Sequence, residues 1–455
     1  MRNQASSAPI IFDVTRLVTR LGRLTPNGID RVDLAYARYL ASSPHEVLGA
    51  IVGPSGVARL APRHALVEIV RAISEAWGEE CDVPSDGEQR ATSLSTQANR
   101  KTAWRRFAGL AEFFRFAAGW AGLQRAGALV GPRGLWPGRE LAAGALRGAV
   151  YLNVSQFPIW RSGYLAALDQ RPDVRCYFLL HDLLPIRYPE FFRPFEVRRH
   201  IGRLETIATR ASGVIVSSDA NRRDLLAYFQ EKQVRVPDIL VAPLPIARAF
   251  RDPSKGLGCD SVATPPPPPA YFVCVGTIEP RKNHLFLLQV WRELIAVHGE
   301  RPPNLILVGS KGWQFENVLD MLERCRSLQG RVQLASGLST PALVTLLHGA
   351  KALLMPTFAE GYGLPVAEAL QSGVPVIASD IEAFREVKEP GLTLVDAMDG
   401  IGWMRAIMEH LHKPMAASRI SASPRLCHSD HVERVISRIT RYSNVNGSTH
   451  HGADC

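Results

Sequence analysis

Residues 352–379 read as one unit: a buried strand, a glycine-punctuated loop, a helix and a second strand. Ala352-Leu353-Leu354-Met355 is a short apolar run of the kind that fills a buried strand. Gly361 and Gly363 let the backbone come close to a ligand, which a Cβ would prevent. Pro365 suits a first helical position, where its missing N–H costs nothing. The helix is predicted to run to about Gly373 as a C-cap, with residues 374–379 as the next strand. In such a βαβ unit the loop lies at the carboxyl end of a parallel strand, where open α/β sheets bind ligands. The N–H groups and dipole at the helix start favour an anion such as phosphate.

Two carboxylates, Glu360 and Glu368, bracket the loop. The turn between them lets both face one cleft. A carboxylate accepts paired hydrogen bonds from vicinal hydroxyls of a ribose or a sugar ring. The alternative is that Glu368 only complements the helix dipole and Glu360 is a solvated loop residue.

Glu360-Gly361-Tyr362-Gly363-Leu364-Pro365-x-x-Glu368 resembles the E-x7-E signature of retaining glycosyltransferases of family 4, which have the GT-B fold. Val275-Gly276-Thr277-Ile278-Glu279-Pro280-Arg281-Lys282-Asn283 resembles the phosphate-binding loop of the same family. Leu307-Val308-Gly309 and Gly373-Val374-Pro375-Val376-Ile377-Ala378-Ser379 match in the same order. The resemblance covers roughly residues 9–52, 147–250 and 270–440 and is weakest in the first span.

The resemblance implies an α/β protein of two facing Rossmann-like domains with an interdomain cleft. It implies transfer of a sugar from a nucleoside diphosphate donor to a glycan or lipid-linked glycan acceptor, with anomeric retention. Glu360 would hold the sugar hydroxyls and Glu368 the ribose diol. Lys282 and Arg281, with Gly276 and the Gly361-Tyr362-Gly363-Leu364 backbone, would hold the diphosphate. The family usually carries an arginine directly after the loop glycine; Thr277 stands there, so Arg281 is the candidate substitute. No D-x-D motif lies in a fitting position, so neither a metal nor another cofactor is expected. The Gly276-Thr277-Ile278-Glu279-Pro280-Arg281-Lys282-Asn283 form resembles bacterial mannosyltransferases of polysaccharide assembly, which makes GDP-mannose the first donor expected and UDP-sugars the next. A sugar-nucleotide epimerase of the same fold and a non-catalytic nucleotide-sugar-binding scaffold are the competing readings.

The 455 residues suit two domains of moderate size. The balance of 53 basic against 43 acidic residues, a net +10, suits an anionic partner: a nucleoside diphosphate, an acidic lipid surface or a nucleic acid. No nucleic-acid motif is present. The seven cysteines are scattered without a C-x-x-C, which fits a reducing cytoplasm better than a disulfide framework. No uncharged apolar run reaches membrane-spanning length and the N-terminus does not read as a signal peptide.

Strand–helix alternation opens with residues 10–14 as a strand and 29–40 as a helix, with Val32, Tyr36, Tyr39 and Leu40 on its apolar face. Gly28 and Arg31 lie between strand end and helix start. In the family this loop faces the cleft; an ordinary turn with an N-cap is the alternative. Residues 175–180, 214–216 and 239–241 read as strands, the first ending at His181-Asp182. His181-Asp182-x-x-Pro185 resembles a strand end that contacts the transferred sugar in the family, and the plain alternative is a structural histidine. Residues 1–250 are thus expected to form the acceptor-side domain and 271–442 the nucleotide-sugar domain. Between them, residues 251–270 contain five consecutive prolines and read as a stiff spacer; 443–455 read as a polar, disordered tail.

Residues 55–146 depart from the family pattern and read as a divergent insertion. Within it, 104–123 is helical in pattern, with Phe113, Phe114 and Trp120 on an apolar arc beside basic residues. Either this is a core helix or it lies on anionic lipid. The expected location is cytoplasmic, at the inner face of the membrane under the second reading.

Overall fold

The computed structural model describes residues 8–20, 26–53, 57–77, 141, 146–251, 270–298, 302–413 and 428–441. The expected helix at 104–123, most of the proline-rich spacer and the tail lie outside the described residues.

The strands of the first half are β1 (Ile10–Asp13), β2 (Val47–Val52), β3 (Ala58–Ala61), β4 (Val150–Asn153), β5 (Arg175–Leu180), β6 (Ala211–Val216) and β7 (Asp238–Val241). They form one sheet in the order β3-β2-β1-β4-β5-β6-β7. Every pair is parallel except β2 with β3. The second half supplies β8 (Tyr271–Val275), β9 (Asn304–Val308), β10 (Val332–Ala335), β11 (Leu353–Met355), β12 (Val376–Ser379) and β13 (Leu392–Val395). These make an all-parallel sheet in the order β10-β9-β8-β11-β12-β13.

Apolar layers cover both faces of each sheet, which is why the strands read as unbroken hydrophobic runs. In both sheets the strand order reverses once, between β1 and β4 and between β8 and β11. Loops leaving neighbouring strands at such a reversal diverge to opposite faces and leave a crevice. The switch point of the second sheet therefore brings the Gly276 loop, after β8, beside the Glu360 loop, after β11.

Two stretches extend the first sheet beyond the sequence reading. β3 and the helix Arg63–Trp77 fall inside the span read as a divergent insertion, yet Leu66, Ile69, Ile73 and Trp77 belong to the first sheet's core. The helix His428–Arg441, assigned by sequence to the second domain, also packs there. Val432, Val435, Ile436 and Ile439 recur at helical spacing and join that core.

That docking buries an imidazole. The Tyr36 hydroxyl lies 3.0 Å from His431 Nε2, with the rings edge to face. Burial, reinforced by Arg434, lowers the His431 pKa to about 4. An unfolded histidine titrates near 6.5. Between these values the unfolded chain takes a proton that the folded chain refuses, so this contribution to stability is present above about 6.5 and is lost as pH falls. One such proton is worth up to about 1.4 kcal/mol per pH unit. Chemical denaturation between pH 6 and 4.5 should therefore show a steeper loss in the native protein than in His431→Asn, by up to that slope. Equal slopes would reject the buried neutral imidazole.

Candidate active site

The Glu360 loop and the Gly276 loop meet through charge. The Lys282 ammonium bonds Glu360 Oε1, and Arg281 Nη1 lies 3.0 Å from Glu360 Oε2. Arg281 also reaches Glu279 Oε1 at 2.9 Å and the Ala359 carbonyl at 2.6 Å. Burial alone would raise the Glu360 pKa; Arg281 and Lys282 outweigh it and hold the carboxyl down at about 2. Glu360 is therefore an anion whenever the protein is folded near neutral pH. The arginine proposed to replace the one missing at Thr277 is committed to two carboxylates and a carbonyl.

Two glycines fix the loop. Gly363 has φ +78 and caps the helix Leu364–Gln371; a Cβ there would lie 2.3 Å from Phe384. At Gly361 a Cβ would lie 2.5 Å from the Asp182 Cβ and 2.9 Å from the His181 carbonyl oxygen. This glycine lets the second sheet's loop press against the end of β5 in the first. Asn221 Nδ2 joins the two, donating to the His181 carbonyl at 3.0 Å and to the Gly361 carbonyl at 2.9 Å. Ser218 caps the helix Asp219–Glu231 and thereby places Asn221 in its first turn.

His181 Nε2 lies 3.0 Å from the Val154 carbonyl. A carbonyl has no proton to give, so Nε2 carries it and Nδ1 is an acceptor. Burial, then Arg16, lowers the His181 pKa to about 3, so the ring is neutral. Its free nitrogen, Nδ1, can accept a hydrogen bond, and the ring is not a cation at neutral pH.

A second cross-sheet group forms around the other glutamate. Arg31 Nη1 lies 2.7 Å from Glu368 Oε1, and Glu368 is 1% exposed. The Arg31 guanidinium carbon also lies 5.8 Å from the Phe250 ring centroid. Gly28 faces Leu364, whose Cδ2 would be 3.8 Å from a Cβ at that glycine. Asn27 and Asp30 form a capping box that starts the helix Gly28–Ser42 and fixes the direction of Arg31. Arg31 is thus an ion-pair partner of Glu368 in this structure. Tyr362 packs against the second sheet's apolar core.

The residues singled out by sequence converge in two groups. Glu360, Arg281, Lys282, Gly276, Gly361 and His181 meet where the two sheets' strand ends face each other. Gly28, Arg31, Leu364 and Glu368 meet beside the helix start. Sequence reasoning missed Asn221 as the link between the His181 strand end and the Gly361 loop. Its one local signal is Ser218 three residues earlier, the spacing of a side-chain N-cap.

Residues 269–413 match the family model of the group 1 glycosyl transferases. The serotype-specific mannosyltransferase WbdA of Escherichia coli is 31% identical over 220 residues, covering 47% of this chain and 27% of WbdA. O-antigen chain mannosyltransferase B of Escherichia coli is 27% identical over 219 residues, covering 46% of this chain and 53% of that protein. O-antigen chain mannosyltransferase RfbU of Salmonella typhimurium is 33% identical over 154 residues, covering 33% of this chain and 41% of that protein. The chain thus spans about a quarter to a half of these curated relatives. Among solved structures, Anabaena Alr3699/HepE in complex with UDP and glucose aligns with TM-score 0.53 at 16% identity, covering 97% of this chain and 100% of that one. Sucrose-phosphate synthase of Thermosynechococcus elongatus aligns with TM-score 0.53 at 16% identity, covering 96% of each chain. Both are likenesses of fold: the two facing doubly wound sheets are a GT-B architecture. Among the described residues, no helix is long and apolar enough to cross a membrane.

Proposed function

We propose that the protein transfers a sugar from a nucleoside diphosphate donor, first GDP-mannose, to a glycan or lipid-linked glycan in polysaccharide biosynthesis, with retention at the anomeric carbon. The observation that carries this reading is the Lys282–Glu360–Arg281 cluster at the second sheet's switch point, beside the helix start at Leu364. The mannosyltransferase names of the relatives favour mannose.

As the glycosidic bond breaks, the leaving diphosphate gains negative charge. Fixed cations and N–H groups aimed at that charge stabilise the transition state without reorganising. Lys282, with the first amides of the helix beginning at Leu364, supplies them. Glu360 is ionised and accepts hydroxyls of the transferred sugar. Arg31 orients Glu368, which takes the ribose diol. His181 presents its neutral ring at the facing strand end, toward the transferred sugar.

The test is a panel of nucleotide sugars assayed for nucleoside diphosphate release, with and without glycan acceptors. GDP-mannose is expected to be turned over fastest, and NMR of the product should show the donor's anomeric configuration. An inverted product rejects retention. Interconversion of the nucleotide sugar without an acceptor selects the epimerase reading, and no turnover of any donor selects the scaffold.

A further inference from the structure

On the first sheet's side of the cleft, the helix Pro194–Arg210 carries a cluster that donor chemistry does not use. The guanidinium carbon of Arg203 lies 4.7 Å from the Trp160 ring centroid, and that of Arg199 lies 5.1 Å from the same ring. Phe157 packs edge to face on Trp160, with ring centroids 5.6 Å apart. Gly202 makes room for Trp160, since a Cβ there would be 3.3 Å from the Trp160 Cβ.

The polar partners of Arg203 are few. Its Nη1 lies 3.2 Å from His200 Nδ1, and its Nε is buried with no hydrogen-bond partner. Because Arg203 is the donor, His200 keeps its proton on Nε2, on the side of the Asp182 backbone. Among the described residues no carboxylate forms an ion pair with Arg203; Glu196 is taken by Arg199 at 2.9 Å. Burial lowers the Arg203 pKa to about 10, which still leaves it charged at neutral pH.

A largely desolvated cation with no carboxylate bonded to it is costly. Stacking on an aromatic face holds the planar guanidinium while leaving its N–H edge for an oxyanion. The cluster is also near the donor side. Asp182, at the end of β5, feels the charges of Arg281, Glu360 and Arg203, so Arg203 is within electrostatic reach of the strand end that the donor cations face.

We propose that Arg203 and Arg199, held by Trp160, form an acceptor subsite that takes a phosphate or diphosphate group borne by the acceptor glycan. The proposal rests on the glycosyltransferase reading and extends it to the chemical class of the acceptor. Trp160 is a positioning residue; the two arginines make the contact.

The test uses the full chain and three acceptors: a neutral methyl glycoside, the same glycoside carrying a phosphate, and a short prenyl diphosphate-linked sugar. Wild type is expected to show a KM at least about tenfold lower for a phosphate-bearing acceptor than for the neutral one. Whichever of the two gains separates a soluble phosphorylated glycan from a lipid diphosphate. Arg203→Gln should raise that KM to the neutral level, with neutral-acceptor KM and donor hydrolysis by water within about twofold. Arg203→Lys, which keeps the charge, should recover part of the loss. Equal KM values for all acceptors in wild type, or an equal loss on all of them in Arg203→Gln, overturns the proposal. Should Arg203→Gln melt early, Arg199→Gln is judged by the same ratios. Calorimetry with inorganic pyrophosphate in a Lys282→Ala background decides the anion site independently. If binding there depends on Arg203 while wild type turns over no donor, the glycosyltransferase reading fails and the anion site stands. If no pyrophosphate binds, the subsite fails.

Discussion

Glu360→Gln is expected to lower transfer more than tenfold while tightening the hold on free nucleoside diphosphate. The two effects have one origin. Glu360 is the counter-ion of both Lys282 and Arg281. A diphosphate arriving at Lys282 meets that carboxylate as a like charge. Two like charges about 6 Å apart, at an effective dielectric of roughly 20–40, repel by about 1.4–2.8 kcal/mol. Glutamine removes the repulsion and keeps the shape, so nucleotide affinity should rise by about tenfold or more. The same change removes a charged acceptor for the sugar hydroxyls near the bond that breaks. A contact stronger in the transition state than in the ground state shows in kcat rather than KM.

The competing account makes Glu360 a buried counter-ion for the fold. Leaving two cations with a neutral partner would then cost stability, and nucleotide binding would fall with it. Calorimetric binding of the nucleoside diphosphate, alongside a thermal melt, separates the accounts by sign. Affinity that drops together with the melting temperature, with transfer per folded molecule unchanged, would remove Glu360 from the sugar site.

Much of this site was legible because its chemistry is local. The strand at 175–180, the start of β8 at Tyr271 and the helix after Gly363 follow from apolar runs punctuated by glycine and proline. Which residues touch was less legible. Arg31 and Glu368 were each singled out, but for separate ligands; their ion pair joins positions 337 residues apart, and no spacing rule spans that distance. The helix His428–Arg441 carries a plain apolar stripe, yet nothing local says that it crosses back to the first sheet. Arg203 reads from sequence as one more charge on a basic helix. Only packing against Trp160 turns it into a half-buried, stacked cation.

Lys282→Ala is expected to produce the largest loss of nucleotide binding. The Lys282 side chain is 11% exposed and its ammonium lies on Glu360. A charge-assisted contact of this kind is worth roughly 1.5–3 kcal/mol, so free nucleoside diphosphate should bind about 10- to 150-fold more weakly. Transfer should fall further, because charge on the leaving phosphate is greatest in the transition state. The fold should survive, since Arg281 still pairs with Glu360 at 3.0 Å. Gly276→Ala supplies the control. A Cβ at Gly276 would lie 3.2 Å from Lys282 Cε and 3.3 Å from its Cδ, so the lysine must shift although every charge remains. If Lys282 works by position, Gly276→Ala weakens nucleotide binding in the same direction as Lys282→Ala but less. If Lys282 only balances Glu360, Gly276→Ala changes nothing, and Lys282→Ala lowers the melting temperature while diphosphate affinity stays within about twofold.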